Sequence, residues 1–332
     1  MNDIFGTMPN GDPVERVKLT GGGLTAHVMT YGAVLQDLRL DGHDPSLVLG
    51  FSEFAPYLDQ SPYFGAMAGR CANRIRDGHF EIDGETFQLD RNYLGKHSLH
   101  GGADGTGKKV WQIEAQTTNS VTLSIELKDG HMGFPGDLRA SVIFSLLPDG
   151  VLDVVMQAVT SKPTLCNLAH HGYWALDGGA SVEDHLMQIS ADGYLVVDDE
   201  LIPTGEIAPT AGTRFDYRTP APIRQGAPLD HNFCLSSAPE ALRDVASVKS
   251  TVSGVRLDIR TTEPGLQIYD GARVNPTALG LDNQNMGAHA GIAIEPQRWP
   301  DANHHAGFPG AVLRPGETYR QHTQFKVSKD TK

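Results

Sequence analysis

Hydrophobic and polar residues alternate along much of this 332-residue chain, a pattern that predicts strands with one buried face. Residues 121–127 and 255–260 alternate at every position. Residues 80–82 and 87–89 alternate on either side of Asp83-Gly84, a dipeptide that favours the tight turn of a hairpin. These segments predict antiparallel strands joined by short turns.

The same pattern predicts further strands at 14–19, 24–40 with a bend at 31–33, 46–51, 140–146, 151–159, 185–189, 193–197, 229–233, 265–269, 291–295 and 319–327. Helix is predicted only as one or two turns at 52–58 and as a short helix at 239–248, with loops at 198–206 and 215–228. The 37 glycines and 20 prolines suit a chain with many turns. The sequence therefore predicts an all-β fold, a large antiparallel β-sandwich that forms one domain over residues 1–332.

The charge balance narrows the class of partner. The chain has 27 Lys and Arg against 40 Asp and Glu, a net charge of −13. Such a surface repels nucleic acid phosphates and anionic membranes, so we expect neither as a partner. The negative electrostatic field of the protein does not repel a neutral small molecule, so this is the class of partner that we expect.

Cysteine usage and the chain start favour a reducing compartment. Cys71, Cys166 and Cys234 are far apart and odd in number, which is neither a disulfide framework nor a thiolate metal site. No stretch has transmembrane length, and the first residues lack a basic segment followed by an apolar run. We expect a cytoplasmic protein, and the sequence leaves open whether it is a monomer or a homodimer.

Two histidines, His170 and His171, are adjacent in a segment of small and aromatic residues. Successive side chains of a strand point to opposite faces, so only one of the two can face a given pocket. His171 shares its face with Asn167 and Tyr173, whereas His170 shares the opposite face with Trp174. We therefore expect His171 to line an open groove and His170 to point into the core.

Strand alternation also sorts the residues of two later strands, at 265–269 and 291–295, and each has one polar side chain on the face opposite its apolar residues. Glu295 lies opposite Ile294, and Gln267 lies opposite an apolar pair. A carboxylate and an imidazole on facing strands would form an acid–base pair. Structural alternatives remain open, because Glu295 could pair with Arg298 instead, and a histidine in an apolar strand is more often structural.

Two other histidine groups invite a metal interpretation. His97 and His100 are three residues apart, and His304 and His305 are adjacent, among 14 histidines in all. No HExxH or comparable ligand spacing is present, so we expect no metal. The glycine clusters lack the strand–GxGxxG–helix setting of nucleotide loops, and no GxSxG motif occurs. We expect no cofactor.

Several motifs stand in a fixed order along the chain. They are GRCANRI (69–75), HSLHGG (97–102), GFPG (133–136), NLAHHGYW (167–174), LIPTG (201–205), LDHNF (229–233), PGLQIY (264–269) and IEPQ (294–297). In this order and spacing, from about residue 31 to residue 325, the chain resembles the aldose 1-epimerases, also called galactose mutarotases. That family has a large antiparallel β-sandwich with a sugar groove on one face, in agreement with the strand pattern.

The resemblance implies an isomerase that interconverts the α and β anomers of a neutral free monosaccharide without a cofactor. By resemblance His171 is the general acid and Glu295 the general base. The residues that would bind the sugar are Asn73, Arg74, His100, Asp230 and Gln267. Such an exchange removes a proton from the C1 hydroxyl and delivers one to the ring oxygen, which requires two proton-transfer groups.

The chain departs from the family pattern near the groove. His170 replaces the usual Asn, Gly172 and Trp174 stand where Ser or Thr and Phe are common, and residues 267–272 depart from the usual YTGN ending. These departures bear on sugar preference more than on the reaction. Two rival functions are a sugar-binding protein without catalysis and a phosphosugar epimerase. A phosphosugar epimerase would need more basic residues at the groove than Arg74 and Arg298. Arg74 could itself form a structural ion pair with Asp77.

Overall fold

The computed structural model describes residues 2–179, 181–224 and 226–330. In chain order the strands are β1 (Asn2–Thr7), β2 (Pro13–Gly21), β3 (Leu24–Met29), β4 (Val34–Leu40), β5 (Ala66–Ala68), β6 (Arg74–Ile75), β7 (His79–Ile82), β8 (Glu85–Gln88), β9 (Ser98–Leu99), β10 (Gln112–Gln116), β11 (Ser120–Leu127), β12 (Leu138–Leu147), β13 (Val151–Thr160), β14 (Thr164–Leu165), β15 (Ala169–His171), β16 (Tyr173–Trp174), β17 (Leu186–Ile189), β18 (Gly193–Val197), β19 (Pro203–Pro209), β20 (Ala221–Pro222), β21 (Asp230–Cys234), β22 (Arg243–Lys249), β23 (Val255–Thr261), β24 (Gly265–Tyr269), β25 (Ile292–Gln297), β26 (Val312–Leu313) and β27 (Tyr319–Lys329). The α-helical content of these residues is the single turn α1 (Pro56–Asp59). Short 3₁₀ turns occupy Arg76–Gly78, Thr106–Lys108, His131–Gly133, Leu281–Asn283 and Ala302–His304. No helix among the described residues is long and apolar enough to cross a membrane.

Three sheets account for most of the strands. The largest has nine strands in the order β10-β11-β12-β13-β27-β23-β22-β17-β20. A six-stranded sheet has the order β16-β25-β24-β21-β18-β19, and a four-stranded sheet has the order β1-β2-β3-β4. Neighbouring strands in these sheets pair antiparallel. The predicted all-β, antiparallel fold is confirmed.

The six-stranded and nine-stranded sheets pack face to face. Trp174 of β16 lies with its ring 4.8 Å from that of Phe325 on β27. Both rings are fully buried, in a hydrophobic core that includes residues of all three sheets. One face of the six-stranded sheet is thus committed to the core. Its other face is free to carry polar side chains, as the alternating sequence pattern requires.

The helix predicted at 239–248 is wrong, because the chain forms β22 there. β22 pairs with β23 on one side and with β17 on the other. A β-bulge between Asp244 and Ala246 shifts its register, so Val245 and Val248 are both buried. The bulge hides the two-residue alternation in the sequence, and packing between two sheet neighbours outweighs the local helix propensity.

Two shorter predictions also need correction. The loop predicted at 198–206 contains the start of β19, an edge strand that pairs only with β18 and has a proline at each end. The strand predicted at 46–51 is an extended segment with isolated bridges from Val48 and Phe51. The predicted bend at 31–33 is confirmed, since it separates β3 from β4. The predicted irregular region 215–228 includes Gln225, which lies outside the described residues, and otherwise holds only β20.

Candidate active site

A cavity of about 420 Å³ opens on the face of the six-stranded sheet that points away from the core. It is lined by Pro62, Tyr63, Asn73, Arg74, Leu99, His100, His171, Tyr173, Leu201, Pro228, Asp230, His231, Tyr269, Ala272, Arg273 and Glu295. The sheet supplies the floor, and the surrounding loops and short strands supply the walls. A larger surface groove of about 750 Å³ runs beside β10, and none of the described residues that line it is a histidine.

His171 and Glu295 meet in this cavity. The Nε2 atom of His171 lies 3.4 Å from Oε1 of Glu295, and both side chains are buried. His171 ends β15, which pairs with β5, and Gly172 then separates β15 from β16. The backbone N–H of Ile294 donates to the carbonyl of Gly172, which holds β25 beside this break. Strand pairing therefore brings together two groups that are far apart in the chain.

The protein environment favours the uncharged form of each group. Burial lowers the pKa of His171 to about 4, from an ordinary value of 6.5. Burial also raises the pKa of Glu295 well above 4.5, with a further increase from the nearby Asp230 carboxylate. Between these limits the pair holds one proton in total. That is the condition for one group to give a proton while the other takes one.

His170 points in the opposite direction. Its ring lies 5.9 Å from that of Phe144 and 5.8 Å from that of Phe325, within the core. Burial lowers its pKa to about 3, so the ring is neutral. The prediction that His171 faces the groove and His170 the core is confirmed.

Gly172 lies against the ring of His170. A Cβ atom at position 172 would lie 2.7 Å from Cε1 of His170, closer than carbon atoms can approach. The ring of His170 therefore occupies the space that a Ser or Thr at position 172 would need. We infer that the two departures from the family pattern are coupled, and that both belong to core packing.

Arg74 and Asp230 line the cavity, and the buried Gln267, which does not line it, joins them in one network. Nη2 of Arg74 lies 3.1 Å from Oδ2 of Asp230, and Nε2 of Gln267 donates to Oδ1 of the same carboxylate at 2.6 Å. Strand register places Asp230 opposite Tyr269, and Gln267 opposite Glu295. The network thus adjoins the acid–base pair.

This network decides between the structural alternatives. Arg74 pairs with Asp230 and not with Asp77. Nε of Arg298 lies 3.3 Å from Oε2 of the buried Glu263. Arg298 therefore does not pair with Glu295, and it is not among the residues that line the cavity. Of the two arginines considered for the groove, Arg74 lies there and Arg298 does not.

Asn73 and His100 form the wall beside His171. Asn73 has φ +63° and His100 has φ +51°, a region that non-glycine residues seldom adopt. The backbone N–H of Asn73 donates to Nδ1 of His100 at 3.2 Å. Burial holds the pKa of His100 well below 6.5, so its neutral ring carries its proton on Nε2. The strained backbone therefore presents a fixed donor beside His171.

A metal ion fits this donor set poorly. Single ligand atoms of His100, His171 and Glu295 lie within 4.8 Å of one another. A metal ligand must offer a lone pair, but Nδ1 of His100 already accepts the N–H of Asn73 and its Nε2 carries the proton. The absence of a metal cofactor remains our prediction.

The other histidines considered as metal ligands have structural partners. Nδ1 of His97 accepts the backbone N–H of Asp77 at 2.9 Å, and its Nε2 lies 3.1 Å from Glu200. Nδ1 of His304 lies 2.7 Å from a carboxylate oxygen of Asp301. The contacts of His97 join separate loops, and the contact of His304 lies within one 3₁₀ turn.

Two tyrosines enclose the imidazole of His171, and neither was predicted to be a substrate-binding or catalytic residue. The ring of Tyr63 stacks at 5.8 Å from His171, and the ring of Tyr173 stacks at 5.2 Å, each tilted by 28°. Tyr173 had a signal, because it shares the polar face with His171. Tyr63 lies on a loop with φ +67°, and no periodic pattern could have placed it.

The family model described as "Aldose 1-epimerase" matches residues 15–326, which is most of the chain. The chain belongs to the aldose 1-epimerase family. The expected family is thereby confirmed.

Curated relatives extend this finding. The galactose mutarotases of Rattus norvegicus and Homo sapiens are each 39% identical over 98% of this chain and 97% of their own length. The aldose 1-epimerase of Escherichia coli K12 is 33% identical over 98% of this chain and 99% of its own. The predicted enzyme class, an isomerase of the mutarotase type, is confirmed.

Solved structures agree with the fold. An aldose epimerase homologue from C. elegans superposes with a TM-score of 0.89 at 28% identity, covering 95% of this chain and 99% of its own. A galactose 1-epimerase from Lactobacillus acidophilus superposes with a TM-score of 0.85 at 27% identity, covering 100% and 99%. The family architecture therefore extends over nearly the whole chain.

Proposed function

We propose that His171 and Glu295 interconvert the α and β anomers of a neutral free monosaccharide bound in the cavity. The observation that carries this proposal is the 3.4 Å contact between Nε2 of His171 and Oε1 of Glu295 inside a cavity lined by hydrogen-bonding groups. Relatives of nearly equal length are named galactose mutarotases, so galactose is the first sugar to test.

The exchange proceeds through the open-chain aldehyde. The Glu295 carboxylate takes the proton of the C1 hydroxyl, and the His171 imidazolium gives a proton to the ring oxygen. The bond between C1 and the ring oxygen breaks as the C1 carbonyl forms. Rotation about C1–C2 presents the other carbonyl face, and the ring closes with the two roles reversed. Each proton-transfer group contributes about 10²–10⁴-fold to the rate.

The catalytic form needs the proton on His171, whereas burial of the empty site favours it on Glu295. Because the two atoms are 3.4 Å apart, the proton can pass directly from Glu295 to His171. Nearby Arg74 favours the carboxylate form of Glu295.

Five residues are proposed to hold the sugar. They are Asn73, Arg74, His100, Asp230 and Gln267. The Nε2–H of His100 is a fixed donor, and Asp230 presents acceptor oxygens held by two neighbours. Arg74 and His100 are suited to stabilise the oxygen that gains charge as the ring opens. We also propose that residues 1–332 form one domain; a cytoplasmic location and a monomeric or homodimeric state remain predictions.

Polarimetry tests the proposed function. Freshly dissolved α-D-galactose is expected to reach anomeric equilibrium faster with catalytic amounts of the protein, and a panel of neutral aldoses then ranks substrate preference. A protein that binds galactose by calorimetry without accelerating the equilibration would instead be a non-catalytic sugar-binding protein.

The pH dependence of kcat/KM is expected to differ from that of an ordinary histidine. Since burial lowers the pKa of His171 to about 4, the pair does not gain a second proton until the pH falls near that value. We expect kcat/KM to change less than about twofold between about pH 5.5 and 7.5. At higher pH it should fall once the pair loses its one proton. An acidic limb with an apparent pKa near 6.5 would contradict this assignment.

A further inference from the structure

The charged groups that line the cavity are paired, with one exception. Arg74 pairs with Asp230, and Glu295 lies beside His171. Arg273 also lines the cavity, and no carboxylate of the described residues lies within 4.0 Å of its guanidinium nitrogens. Its side chain is exposed at the cavity mouth. A neutral sugar leaves this positive charge without a counterion.

The loop that carries Arg273 is held in place by hydrogen bonds. The buried Asp270 carboxylate accepts the backbone N–H of Leu229 at 3.0 Å and that of Ala272 at 3.1 Å. The hydroxyl of Tyr269 accepts the backbone N–H of Arg273 at 2.7 Å. These bonds connect the loop to the strand that begins at Asp230. This segment therefore forms a defined wall of the cavity.

Arg273 stands away from the reacting groups. Tyr269 pairs with Ala293, two residues before Glu295 on β25. Two residues of a strand span about 7 Å. Glu295 is buried in the cavity, whereas Arg273 is exposed at its mouth, so a group that reaches Arg273 from a sugar whose C1 lies at Glu295 is remote from C1.

The open space around Arg273 extends beyond the cavity. A second cleft of about 300 Å³ adjoins the cavity, and Arg273 and Pro62 line both. Asp59 is the carboxylate that lines this cleft. Nζ of Lys108 lies 5.6 Å from the ring centroid of Tyr63, a residue that lines the cavity. No carboxylate of the described residues lies within 4.0 Å of Lys108 Nζ, and Lys108 lines the neighbouring groove beside β10.

We propose that Arg273 enables the site to take, besides neutral sugars, an aldose with an anionic group remote from C1, such as a carboxylate or phosphate at C6. This inference rests on the proposed function. A guanidinium can bind either anion through two parallel hydrogen bonds. The chemistry at C1 is unchanged, because the anion lies away from the acid–base pair.

Anomer exchange measured by NMR tests the proposal. Glucose, glucuronate and glucose 6-phosphate are compared at equal ionic strength, with the protein-free rate subtracted. In Arg273→Gln the ratio of kcat/KM for the anionic sugar to kcat/KM for glucose should fall about 5- to 10-fold, a range suited to a partly exposed charge-assisted contact. Arg320→Gln, which alters an exposed arginine on the nine-stranded sheet, should leave the ratio unchanged.

The outcomes distinguish failure of the anionic-substrate proposal from failure of the proposed mutarotase function. A fall for glucuronate alone or for glucose 6-phosphate alone supports the proposal and identifies which anion is used. Glucose turnover with equal ratios in wild type and Arg273→Gln overturns the anionic-substrate proposal and leaves the mutarotase assignment standing. Failure to accelerate any of the three sugars, or galactose, would instead count against the proposed function itself.

Discussion

Glu295→Gln is expected to lower kcat for anomer exchange by about 10²–10⁴-fold and to leave the protein folded. The amide has the shape of the carboxyl group but cannot take the proton of the C1 hydroxyl. Glu295 is buried in surroundings that disfavour its charged form, so the neutral amide should not lower the free energy of unfolding. Exchange NMR at saturating galactose measures kcat, and thermal unfolding checks the fold.

His171→Ala is expected to produce a loss of similar size, and His170→Asn supplies the matched control. The two histidines are adjacent and equally buried, but only His171 faces the cavity. His170→Asn alters a ring packed between Phe144 and Phe325, so it should affect stability more than turnover. Equal losses of kcat at the two positions would contradict the assignment of opposite faces.

Arg74→Gln is expected to lower kcat/KM by about 10²–10³-fold, the range for removal of a group that stabilises developing charge. It also removes the cationic partner of Asp230, a carboxylate whose side chain is only 18% exposed. That loss should decrease the free energy of unfolding by about 1.5–3 kcal/mol. Steady-state kinetics and urea unfolding measure the two effects.

The double variant Arg74→Gln/Asp230→Asn separates stability from catalysis. It removes both charges, so most of the lost stability should return while activity stays low. Arg314→Gln is the control, because its pair with Asp83 is exposed on both sides and should contribute less than about 1 kcal/mol. Recovery of activity in the double variant would show that Arg74 only neutralises Asp230.

Alternation along the strands was sufficient to assign the faces of the central segments. His171 and Tyr173 line the cavity while Trp174 packs in the core, as their positions predict. The reason is geometric, since a two-residue repeat leaves no freedom about which face a side chain takes. The same rule failed at β22, because a bulge changes the phase of the repeat without leaving a mark in the sequence.

The partners of charged residues could not be read from local sequence. Arg74 is near Asp77 in the chain but pairs with Asp230, and Arg298 is near Glu295 but pairs with Glu263. Local proximity favoured the wrong partner in both cases. Antiparallel pairing within the six-stranded sheet and the loops above it determine which charges meet.

The amino-acid sequence by itself determined the all-β class, the family and the faces of the strand residues around His171, because these depend on residue type and on a short repeat. Only the tertiary structure decided that His171 and Glu295 approach to 3.4 Å, that Tyr63 stacks on the imidazole, and that Arg273 lies at the mouth without a carboxylate partner among the described residues. Those features depend on strand register and on loops with positive φ. They join residues that are distant in the chain, and no local pattern encodes such distances.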